Sequence, residues 1–276
     1  MDLEKRVELV DLNFDWISLK INIPDWAAIS SDEEKQRVDE LIRYIFRPSL
    51  IETKREVSSS GGTEIWIDEK KGLFISKNQY WIVAQIQGTH FQKENSKKWL
   101  LKTLKRIREK VELKDVLITR FDVKADFHAK NNKREKEQVN SESFIDLKKG
   151  EIKGRTSGMR AISYREPGML ENSLTQTIMT ATTLKLNMYN KEIETKSKKK
   201  GGEAYKNIFR LEAQIKKGWS KDFTSSFYFA KEEKHLLEIQ EEAFKKVFSK
   251  IWIQEGKNKS KNWEITEKKI MDFFKK

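Results

Sequence analysis

Cysteine is absent from the 276-residue chain. Its absence removes disulfides, thiolate metal sites and cysteine nucleophiles together. Histidine occurs three times, as His90, His128 and His235, with no H-x-H pair and no H-E-x-x-H spacing. That argues against a histidine-rich zinc site. Proline also occurs three times, each time as punctuation. Pro24 ends a strand, Pro48 stops a helix, and Pro167 opens a turn with Gly168. No apolar run approaches the roughly 20 residues that span a bilayer, and no basic interfacial helix dominates. The first stretch, MDLEKRVELVDL, is charged and lacks the apolar core of a signal peptide. The reading is a cytoplasmic protein with no membrane partner. No internal repeat is visible.

Apolar material is plentiful by contrast. Hydrophobic residues make up 37% and aromatics 11%, with eight tryptophans and fifteen phenylalanines. A chain so supplied builds a core and is not a disordered polyelectrolyte. Its length suits one large domain or two small ones. Charged residues reach 36%, above the usual quarter or so. The net charge is +13, with a pI near 9.5. A lysine-rich solvated surface accounts for part of this. A surplus of this size in a folded chain also favours nucleic acid over a small neutral ligand, because each phosphate neutralised releases counterions.

Early in the chain, Trp16, Ser18 and Lys20 alternate with Ile17, Leu19 and Ile21, which predicts a strand. Ser31 and Glu34 form a capping box for a helix to about Phe46, with Val38, Leu41, Ile42 and Ile45 on its apolar stripe. Residues 58–62, SSSGG, read as a flexible loop. Thr63–Asp68, Gly72–Ser76 and Tyr80–Gly88 suggest an antiparallel meander. His90 reads as an ordinary surface histidine in a strand-end turn, with a DNA contact or a metal ligand as the alternative. A helix from Ser96 to about Glu112 buries Trp99, Leu100, Leu104, Ile107 and Val111. Its other side, rich in lysine and arginine, is either a solvated face or a phosphate-contacting flank.

Three later strands carry an apolar face and a functional face. In the first, Leu117, Thr119, Phe121, Val123, Ala125 and Phe127 oppose Ile118, Arg120, Asp122, Lys124, Asp126 and His128. By itself this second face reads as solvent-exposed. In the next, Leu184, Leu186 and Met188 oppose Lys185, Asn187 and Tyr189. In the last, Phe209, Leu211, Ala213 and Ile215 oppose Arg210, Glu212, Gln214 and Lys216. Lys130–Glu142 reads as a charged loop, Ala161–Tyr164 and Leu174–Tyr189 as a hairpin about Pro167, and Lys196–Lys200 as a basic loop. From residue 225 the spacing turns helical through Leu236, Ile239, Ala243, Phe244 and Val247, with a short last helix at Ile270–Phe274. The expected fold is α+β: an antiparallel β-sheet core with helices packed on it and a helical C-terminal segment. Residues 1–220 form the main domain, and residues 221–276 a helical extension packed on it.

If the three strands are neighbours, carboxylates converge near one tyrosine. Oxygen ligands of this kind suit Mg²⁺ or Mn²⁺, which polarises a phosphodiester. A tyrosine hydroxyl, weak at its ordinary pKa of about 10, then attacks phosphorus with help from the metal or Lys191. Three half-exposed strands with surface charges fit the periodicity equally well.

The ordered set ITRFDVKADF at 118–127, LKLNMYNKEIE at 184–194 and FRLEAQIK at 209–216 resembles the replication initiation proteins of rolling-circle elements. It is most like the gene II replication protein family of filamentous phages, and the Rep proteins of staphylococcal-type plasmids share a similar set. Those proteins carry an S-R-I-D strand, a Y-x-K-x-x-E element and an R-F/L-E-x-R/Q strand in this order. The likeness spans roughly the first four-fifths of the chain by order of motifs. It implies a metal-dependent DNA nicking and joining enzyme acting through a 5′-phosphotyrosine. Tyr189 becomes the nucleophile, with Lys191 and Glu194 completing its element. Asp122 and Glu212 become metal ligands for Mg²⁺ or Mn²⁺, with Asp126 a third. Arg120, Arg210, Arg155 and Lys185 become DNA- or phosphate-binding, with Arg120 and Arg210 alternatively holding the carboxylates that follow them. The implied partners are single-stranded or supercoiled origin DNA and a bacterial host's helicase and polymerase. The paired-histidine signature of the wider nickase superfamily is missing, and neither His90 nor His128 is assigned to it, which leaves the full metal ligand set open. A non-catalytic origin-binding protein, a metal-dependent nuclease without a covalent intermediate, and an RNA-associated basic protein are the alternatives.

Overall fold

The computed structural model describes residues 3–23, 32–47, 51–52, 64–68, 72–77, 80–130, 139, 143–144, 151–154, 176–180, 183–197, 205–255 and 258–275. In chain order the elements begin with α1 (Leu3–Arg6), β1 (Val7–Asn22), α2 (Asp32–Phe46), β2 (Ile51–Glu52), β3 (Glu64–Asp68), β4 (Leu73–Lys77) and β5 (Trp81–Gln87). Then come α3 (Gly88–Phe91), α4 (Ser96–Lys110), a 3-10 turn (Leu113–Asp115), β6 (Val116–Ala129), β7 (Glu151–Gly154), β8 (Gln176–Thr180) and β9 (Leu184–Asn190). The last are α5 (Lys191–Ser197), β10 (Ile208–Lys216), α6 (Gly218–Lys221), α7 (Thr224–Phe229), α8 (Glu233–Lys250), β11 (Ile251–Glu255), β12 (Asn258–Lys259) and α9 (Lys261–Phe273). The fold is α+β, as expected. The hairpin about Pro167 and the cap at Ser31 lie outside the described residues.

The chain divides into two compact units whose segments interleave. The first comprises Met1–Asn13, Val123–Ile215 and Gln240–Lys276, the second Phe14–Asp122 and Lys216–Ile239.

In the second unit the strand order is β2-β3-β4-β5-β1-β6, antiparallel through the first four pairings. β4 and β5 bury alternate residues, so Ile75, Ile82, Ala84 and Ile86 join Ile17, Leu19 and Ile21 of β1 in the core. Gly72 precedes β4 at φ +60°, where a Cβ would lie 2.5 Å from the Thr89 hydroxyl. Only glycine fits both the conformation and the space. α4 turns Leu100, Thr103, Leu104 and Ile107 inward, one face of a 3.6-residue period. Phe14, Phe91, Phe121, Phe223 and Phe227 form the aromatic centre, with ring centroids 4.9–6.5 Å apart. Arg106 donates to the Ile45 carbonyl, and Arg108 to those of Tyr228 and Ala230. These two cations tie α4 to neighbouring backbone, although the sequence had placed them on a solvated or phosphate-contacting flank.

Two sequence expectations are corrected here. His90 is buried, not at the surface, because α3 packs its ring 4.5 Å from Trp99 and edge-on to Phe91. The burial of β6 also departs from the expected pattern. Ile118 and Phe121 are both fully buried, three residues apart, while Leu117, Thr119 and Arg120 are half-exposed. A two-residue period puts Ile118 and Phe121 on opposite faces, so both faces of the strand bury residues here. Thr119 uses its hydroxyl to bind Ser18 of β1, at 2.9 Å to the side chain.

In the first unit the order is β1-β6-β10-β9-β8, and a separate sheet runs β12-β11-β7. Periodicity anticipates α8 and α9 but not β11 and β12 between them. Phe127, Phe144 and Phe209 form one aromatic group, and Phe244, Phe248 and Trp263 another. Ala129 N donates to Asn207 O, and Asp126 meets Arg210. β6 and β10 therefore run antiparallel, with Lys124 opposite Glu212.

Candidate active site

The site is built in the first unit, on β6, β10 and β9. Leu184, Leu186 and Met188 of β9 are completely buried, as are Leu211, Ala213 and Ile215 of β10 and Val123, Ala125 and Phe127 of β6. Alternation therefore sends Tyr189, Arg210, Glu212, Lys124 and Asp126 to the opposite face. That face is not solvated. Lys124 is 3% exposed, Asp126 4%, Tyr189 7% and Arg210 0%. The expectation of plain exposure for β6 is corrected: its charges are closed in by one another.

β9 and β10 pair so that Tyr189 stands opposite Arg210, Asn187 opposite Glu212, and Lys185 opposite Gln214. The Tyr189 hydroxyl donates diagonally to Glu212 Oε2 at 3.1 Å. Gln214 holds the other carboxylate oxygen at 2.9 Å. Glu212 is thus fixed by two neutral donors.

Directly after Tyr189 the chain enters α5, whose first turn is tied by Asn190 Oδ1 accepting from Ile193 N. This start carries Lys191 back over the tyrosine, with Nζ 5.7 Å from its ring centroid. The same ammonium lies 5.8 Å from the Tyr205 ring and binds Glu194 at 2.6 Å. Glu192 accepts from Asn207 N and ties the helix to the start of β10.

A charge ladder lies beside the tyrosine. Arg210 clasps Asp126 with two bonds, of 2.6 and 2.8 Å. Lys124 binds Asp126 at 2.9 Å and Asp11 of β1 at 2.6 Å. Burial pushes the Asp126 carboxyl up, but the hydrogen bonds and charge of Arg210, joined by Lys124, outweigh it and hold it below its ordinary value. Two cations and two anions alternate, and their attraction and hydrogen bonds offset the cost of taking them out of water. The sequence placed Lys124 on this face but assigned it no role, and did not bring in Asp11. Their partnership is set by strand order, which periodicity does not encode.

The expected residues sort as follows. Tyr189, Lys191 and Glu212 come together. Asp126 joins them through Arg210. Arg210, expected to hold the carboxylate that follows it or to bind DNA, is sealed away and committed to Asp126 on the next strand. Lys185 is half-exposed. Arg155 lies outside the described residues, as do residues 131–136 and 198–200 of the two basic loops. Asp122 belongs to the second unit, where Arg120 chelates both its oxygens.

The carboxylates do not fit a divalent cation as they stand. Asp126 and Asp122 each have both oxygens held by cationic side chains, and Glu212 has both held by Tyr189 and Gln214. Among the described residues, no three histidine, aspartate or glutamate side chains group as a metal site.

No protein-family model and no curated protein sequence matches the chain. Among solved structures it is similar to the rolling circle replication initiator protein from Geobacillus stearothermophilus, with a TM-score of 0.57 at 10% identity. The match covers 96% of this chain and 97% of that one. The likeness is therefore one of fold over nearly the full length of both, and the chain has the fold of a rolling-circle replication initiator.

Proposed function

We propose that the chain initiates rolling-circle replication by nicking and rejoining DNA, with Tyr189 as nucleophile. The carrying observation is the hydrogen bond from the Tyr189 hydroxyl to Glu212, set in a fold shared with such an initiator. The tyrosine oxygen attacks phosphorus, and the bond from phosphorus to the 3′ oxygen breaks. The 5′ phosphate stays on the tyrosine, and the 3′ hydroxyl leaves with a proton to prime synthesis. Attack by a later 3′ hydroxyl reverses the exchange and closes a circle. One ester bond replaces another, so rejoining needs no outside energy.

Glu212 orients the phenol and takes its proton as charge develops. Lys191 supplies positive charge beside the ring, and the ladder through Arg210 fixes the strand opposite Tyr189. Mg²⁺ or Mn²⁺ belongs to this reading through the family resemblance.

A non-catalytic origin-binding protein is the second reading. It is favoured by the partnering of Asp126, Asp122 and Glu212 and by the 7% exposure of Tyr189. Both readings are separated by incubating the full chain with a random-sequence pool of single-stranded oligonucleotides, in Mn²⁺, Mg²⁺ or EDTA. Denaturing gels and peptide mass spectrometry then follow the products. Nicking predicts a Tyr189–DNA adduct that vanishes in Tyr189→Phe. Binding without an adduct supports the second reading, and cleavage without an adduct points to a hydrolytic nuclease.

A further inference from the structure

In the second unit, β1, β5 and β4 bury one face and leave most of the other half-exposed, with Ser18 the buried exception. Trp16, Ser18 and Lys20 of β1 register with Gln87, Gln85 and Val83 of β5, and Asn22 with Trp81. Trp16, Lys20 and Trp81 therefore share this face, as does Phe74 of β4, paired with Gln85. The aromatic rings carry cations. Lys20 Nζ lies 4.1 Å from the Trp81 ring centroid, and the Arg120 guanidinium carbon lies 4.9 Å from that of Trp16. Tyr80 extends the surface, 49% exposed, with its ring 6.0 Å from Trp81 and inclined by 34°. Among the described residues, Lys20 forms no ion pair.

We infer that this face is a stacking surface for unpaired bases of single-stranded DNA. Rings on a flat sheet with interleaved cations offer base stacking and phosphate attraction together. A duplex hides its base faces, so only unstacked bases use the rings. Trp16 and the Asn22–Trp81 pair lie six residues apart along β1, about 20 Å at strand rise, room for a few nucleotides. The +13 charge and the cations already seated on the rings suit a polyanion rather than an apolar protein partner. The identity of the strand as DNA rests on the function proposed above.

The test measures anisotropy of fluorescein-labelled dT20, a matching duplex and a 20-residue oligouridine, using the full chain. Tyr80→Ala, Lys20→Ala and Trp81→Ala each weaken dT20 binding by about fivefold or more, and duplex binding changes little. Lys20→Ala also flattens the salt slope by about 0.7. Tyr80→Ala is safe for the fold because the ring is exposed, and Trp81→Phe keeps most of the affinity. Wild-type affinity in folded Tyr80→Ala and Lys20→Ala overturns the inference. So does an equal loss for duplex, which signals charge alone, or a marked preference for oligouridine. Adduct yield at saturating oligonucleotide reports on Tyr189 separately. Its absence from the wild-type chain, with these affinity losses intact, counts against nicking and leaves the stacking surface standing.

Discussion

Glu212 faces two donors, the Tyr189 hydroxyl and the Gln214 amide, and neither brings a formal charge. Glu212→Gln keeps the shape but removes the proton acceptor, so adduct formation should fall by about a hundredfold with little loss of fold. Single-turnover kinetics check this. Arg210 and Asp126 serve stability instead. Arg210→Met leaves a buried carboxylate with one cation fewer, and should cost about 3–5 kcal/mol in urea unfolding. The depressed Asp126 group also sets an acid dependence. Its stabilising effect is present above the ordinary carboxylate value of about 4 and is lost as pH falls through the lower folded value. Urea midpoints measured between pH 5 and 2 should fall steeply for the parent chain and less steeply for Asp126→Asn. Tyr189, Glu212 and Asp126 were legible in the sequence, since alternation alone assigns them to the polar face. The roles of Arg210 and Lys124 were not, because an arginine on a functional face looks the same whether it meets phosphate or a carboxylate on the next strand.

β6 shows the limit of periodicity most clearly. From Phe121 to Phe127 residues of both faces are buried, and nearer its start Ile118 is buried while Leu117 is half-exposed. Sequence reading puts Leu117 inward and Ile118 outward, the reverse of their burial. The two are similar in hydrophobicity, so composition gives no warning of which one its surroundings cover. Ile118→Ala should therefore cost about 2–5 kcal/mol, and Leu117→Ala under about 1. Matched thermal or urea melts of the two variants decide which of them the core depends on. α2, α4 and α8 were legible because each has a long amphipathic stripe, while of the 13-residue Lys261–Phe273 helix only the last turn was. β7, β11 and β12 were not, being two to five residues long, too short for any period to show.

The whole chain weaves its two units together. It crosses from one to the other after Asn13, Asp122, Ile215 and Ile239, crossings that no local pattern signals. Sequence reading set residues 221–276 apart as an extension. That stretch supplies Phe223 and Phe227 to the second unit's core and Phe244 and Trp263 to the first's. A chain ending at residue 220 should lose cooperative unfolding altogether, as circular dichroism during a melt would reveal. The central claim rests on one bond, between Tyr189 and a 5′ phosphate. Mass spectrometry of nuclease-trimmed, trypsin-digested chain after reaction with single-stranded DNA tests it directly. The account predicts a nucleotide-bearing peptide at Tyr189, absent from Tyr189→Phe. Strand cleavage with every tyrosine unmodified, or an undiminished adduct in Tyr189→Phe, would contradict it.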